Sequence, residues 1–168
     1  MQFVTFGGVT VGLIILGWYL TTWFPGRKAL TKDPVRHASA LAPFLLSWAY
    51  GCLAVLGVGG LIGWAADTAL WISNWLGDAA LVWGVGGQAG QTAGNAPYLP
   101  LTQAGGGLVL IMTACMVAAA KKSRHGSDIA RGAWCGICLG TSAGVAGFAA
   151  VPLAQAVNWL GDGVYGAL

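Results

Sequence analysis

The chain has 168 residues, 57% of them hydrophobic and only 8% charged, with eight Lys and Arg against five Asp and no Glu, for a formal net charge of +3. Soluble domains carry roughly 25% charged residues, so this composition cannot cover a water-facing surface. It also excludes a nucleic-acid-binding protein, because the nine Trp are not interleaved with the basic residues.

All eight cations fall in two clusters, Arg27, Lys28, Lys32 and Arg36, then Lys121, Lys122, Arg124 and Arg131. With Asp33 and Asp128 counted, these regions are strongly positive, whereas the remainder holds only Asp67, Asp78 and Asp162. Such an asymmetry is the signature of membrane orientation, with positive loops retained in the cytoplasm. The expectation is an all-α, polytopic transmembrane protein of the cell inner (cytoplasmic) membrane. Four crossings in two tandem two-helix units would leave both termini outside.

In chain order, the first crossing is predicted over about 3–24, where Trp18, Tyr19 and Trp23 gather at the cytoplasmic end and Pro25 and Gly26 stop the helix. No charge precedes Arg27, so the segment reads as a retained anchor rather than a signal peptide. The second crossing is predicted over about 41–63, with Pro43 in its first turn. An outer helix is expected over 64–78, with Asp67, Asn74 and Asp78 on one face and Trp64, Trp71 and Trp75 on another. From Ala79 to Gln103 the Gly, Gln, Asn and Pro residues show no period, and 85–103 is expected to be an outer loop. The third and fourth crossings are predicted over about 104–120 and 132–151, followed by an outer Trp/Asp element over 152–162.

The pentapeptide Asn-Trp-Leu-Gly-Asp occurs at Asn74 to Asp78 and again at Asn158 to Asp162, 84 residues later, half the length of the chain. Residues 1–84 and 85–168 therefore read as two copies of one unit. Each unit has two crossings, so the copies share an orientation and are related by an axis along the membrane normal. Trp75, Asp78, Trp159 and Asp162 are candidates for an outer interface.

Gly132, Gly136, Gly140 and Gly144 recur every fourth residue, and Gly8 with Gly12 and Gly59 with Gly63 repeat the spacing. Four-residue spacing aligns these positions on one helical face and lets another backbone approach. They are candidate helix-packing sites, either within the chain or between copies, and a homo-oligomer joined to other membrane-complex subunits is the leading expectation. The eight cations, with His37 and His125, are candidates for binding anionic lipid headgroups or a cytoplasmic partner.

Chemistry is less evident. Cys135 and Cys138 form a CxxC on one helical side, with Cys52 and Cys115 the other thiols. A thiol-disulfide or metal centre is conceivable, but small apolar fillers account for them better. No HExxH, P-loop or GxGxxG motif exists, and no charge occupies the middle of a crossing, so neither an enzyme nor a cofactor is expected. The expectation is a structural subunit of a secretion, conjugation or phage-related complex. The alternatives are a channel or small transporter lined by Thr10, Ser47, Thr113, Thr141 and Ser142, or a holin-like permeabilising protein.

Residues Gly26 to His37 and Lys121 to Arg131 are short basic turns between apolar helices. In layout the chain resembles, once in each half, the pilin subunits of conjugative secretion systems. That resemblance implies a polymerising subunit whose basic loops face a lumen and neutralise lipid headgroups.

Overall fold

The computed structural model describes residues 4–24, 33–57, 60–92, 101–140, 142 and 145–167, without the side chains of residues 36, 145–148 and 165. Six helices account for nearly all of it: α1 Phe6–Trp23, α2 Pro34–Leu56, α3 Gly60–Val85, α4 Gln103–Lys122, α5 Gly126–Gly140 and α6 Val145–Gly166. Among the described residues there is no strand, only an isolated antiparallel bridge between Thr5 and Thr92. Three stretches, Phe6–Trp23, His37–Leu56 and Gln103–Lys122, are long and apolar enough to span a membrane, the mark of a membrane protein.

Each start and stop has a local cause. Thr5 caps α1 by accepting from the Gly8 N–H at 3.2 Å, and Thr102 caps α4 by accepting from the Gly105 N–H at 3.1 Å. Pro34 opens α2, where its missing N–H leaves no bond unmade. The Ser123 amide closes α4 on the Ala119 carbonyl at 2.8 Å, and Lys121 and Lys122 in the last turn complement the helix dipole.

The predicted boundaries shift in several places. Helix α2 begins at Pro34, so Pro43 lies inside the helix rather than in its first turn. The second predicted crossing, 41–63, is interrupted because α2 ends at Leu56, Gly57 is extended, and Gly60 takes a φ of +74°, which only glycine adopts without strain. The helix predicted over 64–78 therefore begins at Gly60 and continues through Gly77 and Gly84 to Val85. The irregular segment starts at Gly86, also at positive φ, instead of Ala79.

The fourth predicted crossing, 132–151, is divided between α5 and α6. Ser142 stands between them, its amide and hydroxyl both bonding the Leu139 carbonyl, at 3.1 and 2.7 Å. That local bonding competes with continued helix. The Trp/Asp element predicted at 152–162 lies within the longer α6.

The bundle is organised around α2 and α5, which pack more extensively than any other pair. Positions where a Cβ would touch the opposite helix pair Gly132 with Phe44, Gly136 with Trp48 and Gly140 with Cys52, so the two helices run in the same direction. Helix α1 runs against both: Trp23 meets His37 and Tyr19 stacks on Phe44 at 4.0 Å between ring centroids, while Gly12 faces Cys138 and Leu139. Tyr19, Phe44, Cys135 and Leu139 form an apolar cluster where α1 meets this pair, and two more lie beside it. One joins Cys52, Leu53 and Leu56 to Val109, Ala150 and Ala154, and the other joins Val4 to Ala54, Val55, Ala66 and Leu70.

Candidate functional site

The repeated pentapeptide sits where α3 crosses the start of α1 and where α6 crosses the start of α4. Asn74 Oδ1 accepts from the Thr5 N–H at 3.1 Å, and Asn158 Oδ1 accepts from the Thr102 N–H at 2.9 Å. In both places the Asn acts on the residue that caps the neighbouring helix. The glycine three positions later allows the crossing: a Cβ on Gly77 would run into the Gly7 backbone, and one on Gly161 would lie 2.6 Å from the Ala104 carbonyl carbon. Asp78 Oδ2 accepts from the Gly90 N–H at 3.1 Å, and Asp162 Oδ1 accepts from the Thr102 hydroxyl at 3.4 Å. Trp75 and Trp159 point outward, with Leu76 and Leu160 beside them. Asn and Gly in both copies, and Asp162, thus tie helices together, Asp78 holds the segment after its own helix, and Trp and Leu form an apolar exterior.

Helix α3 separates its faces as its spacing predicts. Gly63, Ala66, Leu70, Ser73 and Gly77 are buried, and Trp64, Trp71 and Trp75 are exposed. Trp134, on α5, donates its indole N–H to Ser73 Oγ at 2.8 Å. Trp48, on α2, packs instead against the apolar cluster that holds Ala154 and Val157.

The glycines of the four-residue series face helices of this same chain. Gly132 meets the Ser47 hydroxyl and the Phe44 carbonyl, Gly136 the Trp48 carbonyl, and Gly140 the Cys52 Cα at 2.9 Å. Gly8 faces the Asn74 side chain, Gly12 faces Leu139 and Cys138, and Gly63 faces the Gly57 carbonyl at 2.8 Å. Gly59 and Gly144 lie outside the described residues. The large apolar side chains left on the exterior include Leu13, Ile14 and Trp18 of α1, Leu45 and Leu46 of α2, and Leu110 and Ile111 of α4.

The parallel course of α2 and α5 brings their first turns to one end of the bundle, together with the end of α1 and the turn from α4 to α5. Lys121, Lys122, Arg124, Arg131, His37 and His125 are therefore at that end. Among the described residues, both salt bridges fall on Asp128, from His125 Nδ1 at 3.3 Å and Arg131 at 3.7 Å. Such exposed pairs contribute little to stability. Arg27, Lys28 and Lys32, and the side chain of Arg36, lie outside the described residues. The Thr, Asn and Asp groups occupy the opposite end.

Cys52, Cys135 and Cys138 are buried at helix contacts and Cys115 is exposed, all four as free thiols. Cys52 Sγ donates to the Gly136 carbonyl at 3.5 Å and Cys135 Sγ to the Gly12 carbonyl at 3.3 Å. No group of three or more His, Cys, Asp or Glu among the described residues could hold a metal ion. Of the hydroxyls considered for a polar path, those of Thr10, Ser47, Thr113 and Ser142 each bond a carbonyl three or four residues back in the chain, and Thr141 lies outside the described residues.

Thr5 and Thr102 were not singled out from the sequence, although each stands just ahead of an apolar helical run, where Thr is a favoured N-cap residue. Comparison with known proteins finds no matching family model, no matching curated protein and no matching solved structure.

Proposed function

We propose that this chain is a multi-pass structural subunit of the cell inner membrane that assembles into a larger membrane complex of the secretion, conjugation or phage-related kind. One observation carries the reading: the Asn and Gly of the repeated motif join helices to one another, while many large apolar side chains stand on the exterior. In lipid a polar group needs an internal partner and an apolar exterior needs none. A protein built this way supports other subunits or lipid and requires no chemistry of its own.

The cations at one end favour a cytoplasmic position for that end and an external position for the Thr-Asn end. The termini would then be outside, with four passages through the bilayer, the fourth formed by α5 with the start of α6. Tandem duplication is supported by the matched roles of Thr5 and Thr102, Asn74 and Asn158, and Gly77 and Gly161. In this reading each unit has three helices, α1 to α3 and α4 to α6. The caps are 97 residues apart and the pentapeptides 84, because the three-residue turn at 123–125 and the shorter α5 replace a longer connection and the longer α2. Since the seam glycines already face the chain's own helices, copies or partner subunits would meet through the outer apolar faces.

Imaging of the particle extracted in mild detergent tests the assembly. A ring, filament or larger complex containing several copies or further subunits is expected, and a single-chain particle would overturn it. Topology is tested with Lys122→Cys and Asp162→Cys labelled by an impermeant maleimide on intact cells, where only the second should react.

A further inference from the structure

We propose that the groove between the start of α3 and α4 is a binding site for one anionic phospholipid, its acyl chain lying along α4 and its phosphate on Lys121. The groove encloses about 770 Å³, and its lining includes Gly60, Leu61, Ile62, Leu110, Ala114 and Lys121. From Gly106 to Lys121 the lining positions of α4 recur every three or four residues, so they form one face about 22 Å long at 1.5 Å per residue. Small residues make the floor: a Cβ on Gly106 or Gly60 would meet nothing within 4 Å, and Ala114 and Ala118 continue the strip. Helix α4 is also the least buried of the three candidate spans, so lipid reaches it directly.

The charge at the end of the groove selects the occupant. Lys121 is exposed, and both described salt bridges belong to Asp128, so an incoming anion meets an available ammonium. A second copy of this chain is a poor source of that anion, having five Asp and no Glu, with Asp128 already engaged. An acyl chain with a phosphate head matches both the apolar walls and the cationic end.

The inference rests on the membrane reading above and adds a discrete site to the diffuse attraction that any basic loop exerts. The test is native mass spectrometry of the full chain in mild detergent, titrated with phosphatidylglycerol or with phosphatidylcholine. One phosphatidylglycerol should be retained in preference to phosphatidylcholine. Lys121→Gln should weaken it about fivefold, the worth of one lysine at an anionic surface, and Ala114→Phe should abolish it. Lys122→Gln, which removes the neighbouring cation outside the groove, should weaken it clearly less than Lys121→Gln. Gly106→Leu provides a second block of the groove at a position with open space around it. Equal binding of the two lipids, unchanged binding in both blocked variants, or equal loss in Lys121→Gln and Lys122→Gln would overturn the site. So would a dimer that Ala114→Phe splits, which would make a second copy the occupant. A chain recovered without detergent in a high-speed supernatant would instead refute the membrane reading itself.

Discussion

Gly136→Ala is a sharp test of the packing argument because it adds one methyl group and no polarity. The added Cβ would meet the Trp48 carbonyl oxygen, and would lie 2.9 Å from the Trp48 carbonyl carbon and 3.0 Å from the Cys52 amide nitrogen. All three are backbone atoms, so no side-chain rotation relieves the contact and α2 must move away from α5. Carbon atoms pack best at about 3.5–4.0 Å, and a radial gap of about 0.5–1 Å forfeits a quarter to a half of each neighbouring contact. The contacts of Gly132 and Gly140 would weaken along with that of Gly136. Overpacking of this kind costs about 1–3 kcal/mol, or about 2–12 °C in melting temperature at 2–4 °C per kcal/mol for a chain of this size.

Gly17→Ala is the control, because a Cβ there meets nothing within 4 Å. Replacing a helical Gly by Ala in open space should be neutral or stabilise by up to about 1 kcal/mol. Thermal melts in one detergent, followed by helical circular dichroism, should thus place Gly136→Ala below the unmodified protein and Gly17→Ala at or above it. If Gly136→Ala melts at or above Gly17→Ala, the close α2–α5 seam is refuted.

Trp134→Phe removes the indole hydrogen bond to Ser73 and should lower stability by about 0.6–1 kcal/mol, since Ser73 keeps its own bond to Ala69; Trp48→Phe has no such hydrogen bond to lose to the 154–157 stretch, and a double-mutant cycle of Trp134→Phe with Ser73→Ala measures the difference. Asn74→Ala and Asn158→Ala should each destabilise by about 1 kcal/mol and speed amide exchange at Thr5 and at Thr102 respectively, with each effect confined to its own helix start. In detergent, an apolar thiol reagent should modify Cys115 first and reach Cys52, Cys135 and Cys138 only on unfolding; simultaneous modification of all four would contradict the burial of the seam.

Much of the helical content was legible because lipid-compatible helices are announced by composition. The runs at 3–24 and 104–120 match α1 and α4 closely. The separation of Trp64, Trp71 and Trp75 from the inward residues of α3 was legible for the same reason, since a 3.6-residue period needs no knowledge of neighbours. Boundaries made by glycine were less readable. Gly60 breaks the chain at a positive φ, whereas Gly77 and Gly84 lie inside a continuous helix. The residue is the same, and local pattern does not separate the cases: Gly77 is pressed on the Gly7 backbone, whereas Gly60 and Gly84 both have open space around them, one at a helix start and the other inside a helix.

By itself, the order of residues determined that the helices would be apolar, that the cations would be confined to two short clusters at helix ends and the turns beside them, and that one motif would occur twice. Each of these follows from local pattern and the cost of placing charge in hydrocarbon. Only the tertiary structure decided that Gly132, Gly136 and Gly140 close on α2 of their own chain, and that Asn74 and Asn158 reach the caps of distant helices. A glycine face states that a backbone can come near without naming which one, and an amide side chain can bond any unpaired group within reach. Those partners are chosen when all six helices find an arrangement that satisfies them together.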